Sequence, residues 1–117
     1  GEVLWLAAQG HMSVTYHYDR DADKMFRCGL PVTRGMQARM LRVLLSRNLT
    51  ENQTLFSRQF LLAEPTVGFD PLNPNFEVRM RRLMRIVDAK CEGLRISKVE
   101  QGLYRLDVGE PIEFTET

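Results

Sequence analysis

Between Phe76 and Val108 the apolar residues change their spacing, and that change limits this stretch to a helix followed at once by a hairpin. Phe76, Met80, Leu83 and Val87 recur at steps of four, three and four, which lays one stripe along a helix. Leu94 and Ile96, and then Tyr104, Leu106 and Val108, alternate at period two, as half-buried strands do. Arg79, Arg81, Arg82 and Arg85 occupy the rest of the helix surface. An apolar back and a guanidinium-rich front, tied to a β-ribbon, suit a nucleic-acid groove and its flanking phosphates.

The preceding residues read as a small antiparallel meander and two more helices. Val14, Tyr16 and Tyr18 alternate with polar neighbours, Met25 to Cys28 follows a polar turn, and Leu30 to Val32 carries Pro31, which confines it to an edge or a strand start. Thr33 is placed to cap a helix over Arg34 to Arg47, with Met36, Met40, Val43 and Leu44 buried and Asn48 as its stop. Thr54 to Phe56 reads as a short strand, and Ser57 as the cap of a second helix from Arg58 to about Ala63. Glu64 to Leu72 is a loop broken by Pro65, Gly68 and Pro71. Asn73 with Pro74, or Asn75 instead, starts the basic helix, which is expected to reach about Val87 or Ala89. Glu100 to Gly102 is the hairpin turn.

A length of 117 residues predicts one domain with a core of its own. The net charge of +1 does not announce a partner, but its distribution is uneven. From Asn73 to Lys90 five bases face two acids, whereas Asp107 to Thr117 holds four acids and no base. A local patch of that kind steers a polyanion where net charge does not. Cys28 and Cys91 make no CxxC pair and no Cys/His cluster, so reduced thiols in a cytoplasmic protein are expected. His17 is expected to serve the sheet or the surface. No glycine-rich phosphate loop, metal cluster or paired nucleophile and base is present, so neither an enzyme nor a cofactor is expected. No apolar run approaches the ~18 residues of a membrane span. Gln9-Gly10-His11-Met12 reads as a protease junction and cloning scar, which makes 1–12 a tag segment, 13–112 the domain and 113–117 a frayed tail.

Several motifs in this order resemble the winged helix-turn-helix effector domain of the OmpR/PhoB response-regulator family. Phe76-Glu77-Val78-Arg79-Met80, continued by Arg82-Leu83, matches the start of that family's recognition helix. Ile96-Ser97-Lys98-Val99-Glu100-Gln101-Gly102-Leu103-Tyr104-Arg105-Leu106 is similar to its wing. Ser57-Arg58 matches the opening of its second helix, and Leu30-Pro31-Val32-Thr33 the end of its platform. The resemblance runs from Met12 to about Val108 and implies an α+β winged helix-turn-helix with an N-terminal antiparallel β-meander, three helices and a C-terminal β-hairpin wing. Two features depart from the family: Glu100 stands where a basic wing residue is usual, and Gly102 falls one place early, with Leu103 at the second glycine's position. The wing is then expected to grip DNA less tightly, or to leave that task to Lys98 and Arg95.

The resemblance implies sequence-specific binding to double-stranded DNA by a cytoplasmic, nucleoid-associated transcription regulator. The recognition helix, about 74–88, would enter the major groove, and the wing, about 94–108, would lie on adjacent backbone or minor groove. Val78 and Arg79 would face bases, with Val78 able to touch a thymine methyl. Arg81, Arg82 and Arg85 would meet phosphates or bases, with Arg82 also able to pair with an acid such as Glu77. Arg95, Lys98 and Arg105 would reach phosphates from the wing, and Ser57 and Arg58, with Thr54, would bind one at the second helix's N-terminus. Two copies would read tandem or inverted half-sites as a homodimer on DNA. Phe69 and Leu72, in the loop between the last two helices, are the candidate contacts with RNA polymerase. Glu100 and the near-neutral net charge leave a competing reading, a winged-helix protein-interaction module without direct DNA readout.

Overall fold

The computed structural model describes residues 13–117, so the expected tag segment 1–12 lies outside the described residues. Three strands come first among the described residues: β1 (Val14–Asp19), β2 (Lys24–Arg27) and β3 (Leu30–Arg34). β2 and β3 are joined by Cys28 and Gly29 alone, with φ of 49° and 81°. Two successive positive φ values give the tight turn whose twist matches a hairpin, and glycine supplies one of them without strain. Three helices follow, α1 (Met36–Glu51), α2 (Arg58–Ala63) and α3 (Phe76–Lys90), with the short strand β4 (Leu55–Ser57) before α2. β5 (Leu94–Glu100), β6 (Leu103–Val108) and β7 (Ile112–Glu116) end the chain. The result is an α+β fold with a four-stranded sheet, β3-β2-β1-β7, and a three-stranded sheet, β4-β6-β5.

The expected frayed tail is a strand. β7 pairs in parallel with β1, from Val14↔Ile112 to Tyr18↔Glu116. Thr117 N–H donates to Tyr18 O and Arg20 N–H to Thr117 O, each at 3.0 Å. Ile112 and Phe114 pack against the core, and Glu116 accepts two bonds from Arg42, at 2.6 and 3.0 Å. Backbone pairing, apolar burial and that fork together hold a segment whose acidity alone suggested a solvated end. His17 joins the same seam, with Nδ1 2.6 Å from Thr115 Oγ1 and Nε2 3.1 Å from Thr117 Oγ1.

α1 also differs at both ends from the expected span. Thr33 and Arg34 stay in β3, opposite Met25 and Lys24, and the turn into the helix falls on Gly35 at φ 68°. The helix runs past Asn48 by a further turn because local partners continue it. Arg47 pairs with Glu51 at 2.7 Å, Thr50 Oγ1 donates to Ser46 O at 2.7 Å, and left-handed Asn52 closes the end. α2 begins as expected, with Phe60 N–H donating to Ser57 Oγ at 3.0 Å. α3 starts at Phe76 after Asn75, not Asn73, and ends at Lys90.

One core lies between the layers. Tyr16 and Met25 come from the first sheet, Met40, Leu41, Leu44 and Leu45 from α1, and Leu106, Ile96 and Tyr104 from the second sheet. Into these α3 inserts Phe76, Met80, Leu83 and Val87, the stripe read from sequence. Phe76 stacks between Phe69 and Tyr104, with ring centroids 5.6 and 5.8 Å away. At ~1.5–3 kcal/mol per buried large apolar side chain, these four residues fix α3 firmly.

Candidate nucleic-acid interface

With one face of α3 buried, its other residues have no choice of direction. Arg81, Arg82 and Arg85 are exposed, and Val78 is exposed between their turns. None of the three arginines makes an ion pair among the described residues. Arg79 departs from the expected front. It is half-buried on the flank of the helix, and its Nε is buried without a hydrogen-bond partner. The outward guanidinium surface therefore consists of three arginines.

The β5–β6 hairpin divides its cations between two faces. Leu94 and Ile96 point to the core and Arg95 away from it, as do Tyr104 and Leu106 against Arg105. Arg95 is registered opposite Asp107, an acid that screens it on that outer face. Lys98 instead lines a depression of about 200 Å³ with Glu77, Met80, Arg81, Met84 and Tyr104. Lys98 and Arg81 thus come from different elements to one place, while Arg95 and Arg105 lie behind. Lys98 Nζ donates to Gln101 Oε1 at 3.1 Å across the hairpin turn, beside exposed Glu100.

The start of α2 is already occupied. Arg58 N–H donates to Gly102 O at 2.8 Å, and Phe60 N–H goes to the Ser57 cap. The Arg58 guanidinium pairs with Glu77, Nε to Oε1 at 3.0 Å, and lies 5.6 Å from the Phe76 ring centroid. Glu77 therefore partners Arg58, not Arg82. Ser57 and Arg58 act as joints between α2, α3 and the hairpin, with their amide and cap groups engaged and the Arg58 charge paired with Glu77.

The loop before α3 separates its two candidate contacts. Phe69 is only 9% exposed and packs on Phe76, so it anchors the loop and is not an exposed contact. Arg39 Nε donates to Val67 O at 2.8 Å and ties the same loop to α1. Leu72 is 93% exposed. Beside it, Phe69, Pro71 and Pro74 of the loop and Gln59, Leu62 and Ala63 of α2 border an apolar depression of about 490 Å³.

Sequence reasoning passed over a second basic place, at the β2–β3 hairpin, where Lys24 stands directly opposite Arg34. The two-residue turn at Cys28-Gly29 is legible in sequence, but it would set Lys24 opposite Thr33; a register shift between Met25 and Phe26 moves Lys24 to Arg34. Of the two thiols, Cys28 is exposed and Cys91 buried. Among the described residues no group of histidine, cysteine and carboxylate side chains is arranged to hold a metal ion, and no helix is long and apolar enough to cross a membrane. No family model matches the chain, and neither does any curated protein or solved structure. The likeness to OmpR/PhoB domains thus rests on the quoted residues alone.

Proposed function

We propose that this protein reads double-stranded DNA as a winged helix-turn-helix domain of a cytoplasmic transcription regulator. In this reading α3 enters the major groove, and the β5–β6 hairpin is the wing against neighbouring backbone or minor groove. One observation carries it. Arg81, Arg82 and Arg85 stand exposed and unpaired among the described residues, on a helix whose opposite side is fixed by Phe76, Met80, Leu83 and Val87. A rigid helix carrying unneutralised guanidinium groups suits bidentate contact with guanine or phosphate. Val78, 36% exposed among them, is available to a thymine methyl. Lys98 supports Arg81 from the hairpin side. Two copies would bind paired half-sites, and Leu72 is the residue left open to a polymerase.

The test is a salt titration of binding to duplexes selected from random DNA. Affinity should fall log-linearly with salt, and Arg81→Ala should reduce the slope by about one unit with the fold unchanged. A second reading, a protein-interaction module, draws on Glu100 at the hairpin turn, where an acid would repel phosphate. That reading requires DNA affinity to be absent in the same titration.

A further inference from the structure

The β2–β3 hairpin sets Lys24 directly opposite Arg34, and like charges in that register cost a sheet stability. Among the described residues neither has an ion-pair partner. Lys90, the last residue of α3, closes a third side, and its Nζ lies 3.4 Å from Val32 O, to which it donates. These three cations line a depression of about 240 Å³ over Pro31, Val32 and Thr33. A second depression of about 190 Å³ adjoins it, sharing Pro31, Val32 and Lys90 and adding Arg27 and Leu30. Leu30 is 71% exposed. Asp19 accepts the amides of Asp21 and Ala22 and stands opposite Lys24, which it partly screens. Asp23 holds Tyr18 and Arg39, and Glu110 pairs with Arg27.

We infer that this groove, along the sheet's edge strand β3, docks an acidic peptide segment of a partner protein that carries an apolar side chain among its carboxylates. Arg34 and Lys90, with Lys24 partly screened by Asp19 across the β1–β2 pair, face one hollow and specify the carboxylates. The bare Leu30-Pro31 floor specifies the apolar residue, because a phosphodiester chain would satisfy the cations and leave the leucine in water. The edge strand gives an extended segment room to lie. The groove is at the end of α3 that packs on β3, apart from Arg81 and Lys98, so the inference does not depend on the DNA reading.

Fluorescence anisotropy of the full chain tests it, with a labelled peptide of mixed glutamate and leucine. Peptides of glutamate alone and of glutamine with leucine, together with duplex DNA, serve as comparisons. The glutamate–leucine peptide should bind and the glutamine–leucine peptide should not. Arg34→Ala and Lys90→Ala should each weaken binding by about threefold, the yield of one exposed ion pair. Leu30→Ser, at a solvated position that does not endanger folding, should weaken the glutamate–leucine peptide and leave the all-glutamate peptide unchanged. Amide chemical shifts of each variant, mapped on β3 and the end of α3, check that the fold is intact. The inference fails if the wild-type chain does not bind the peptide, or if binding survives all three substitutions. It fails equally if those substitutions weaken duplex DNA and not the peptide. Peptide binding without any DNA binding would leave the inference standing and remove the proposed function.

Discussion

Arg58 and Glu77 are locked together across the junction of α2 and α3, 3.0 Å apart from Nε to Oε1. The pair takes a positive charge out of the proposed DNA surface. Both side chains remain substantially solvated, so the bond itself contributes less than ~1 kcal/mol.

A consequence for DNA binding follows from that neutralisation. Glu77→Gln should release Arg58 to a phosphate and steepen the salt dependence of binding by up to about one unit. Arg58→Ala should leave the slope near its wild-type value. Thermal melts of both variants should show less than ~1 kcal/mol of lost stability. A reduced slope in Arg58→Ala would mean that Arg58 already meets DNA.

The two faces of the hairpin should behave differently. Lys98, on the side shared with Arg81, should lower DNA affinity and reduce the salt slope by about one unit when replaced by alanine. Arg105→Ala, on the outer face, should have no such effect. Equal losses in a filter-binding or anisotropy titration would place the DNA on the other side of the ribbon.

Stability should fall in alkali. Burial raises Tyr18 from 10.0 to about 12, with the Asp23 carboxylate that accepts its hydroxyl adding to the shift. Burial also raises Tyr16 and Tyr104, and the Cys91 thiol. The folded state keeps these acids neutral, so the unfolded chain ionises first. Stability from these groups is therefore complete only below the unfolded thiol value of 9.0, and it declines as pH rises from there, past the unfolded tyrosine value of 10.0 and through about 12. Urea denaturation across that window, with tyrosinate absorbance alongside, measures it. Tyr16→Phe should flatten the decline. At neutral pH it should cost about 1 kcal/mol or less, because the Tyr16 hydroxyl faces Arg27 and Cys91 without a well-formed hydrogen bond to either.

Gly93, between α3 and β5, has φ of 91°, and a Cβ there would come within 2.5 Å of the Glu110 carboxyl. Glu110 is held in turn by Arg27 at 3.3 Å. Gly93→Ala should therefore cost about 1–2 kcal/mol in urea denaturation. In a Glu110→Ala background part of that cost should vanish and the backbone part should remain. No loss at all would show that the junction can rearrange.

Much of this architecture was legible where spacing and burial agree. The Phe76-Met80-Leu83-Val87 stripe and the Ser57 cap stand where the sequence puts them, because each is decided by residues within a few positions. What stayed hidden depends on distant partners. β7 offers only Ile112 and Phe114 as apolar positions, and its pairing with β1 brings together residues 98 apart, as at His17 and Thr115. Arg79 looks like its exposed neighbours in sequence, yet the packing around the helix flank buries its Nε. Lys24 and Arg34 became a pair only through a register shift between Met25 and Phe26, since the Cys28-Gly29 turn by itself would set Lys24 opposite Thr33. At the candidate site the front of α3 was readable, but the partition of the hairpin cations was not, since it rests on which strand face meets α3.

The parallel seam between β1 and β7 also has a temporal side. A ribosome that has released the chain through Val108 has supplied every described helix and both strands of the β5–β6 hairpin, while β1 still shows one bare edge. Until Ile112 to Glu116 emerges, that edge is open to any other strand, so a nascent chain would be at its most adhesive just before synthesis reaches β7.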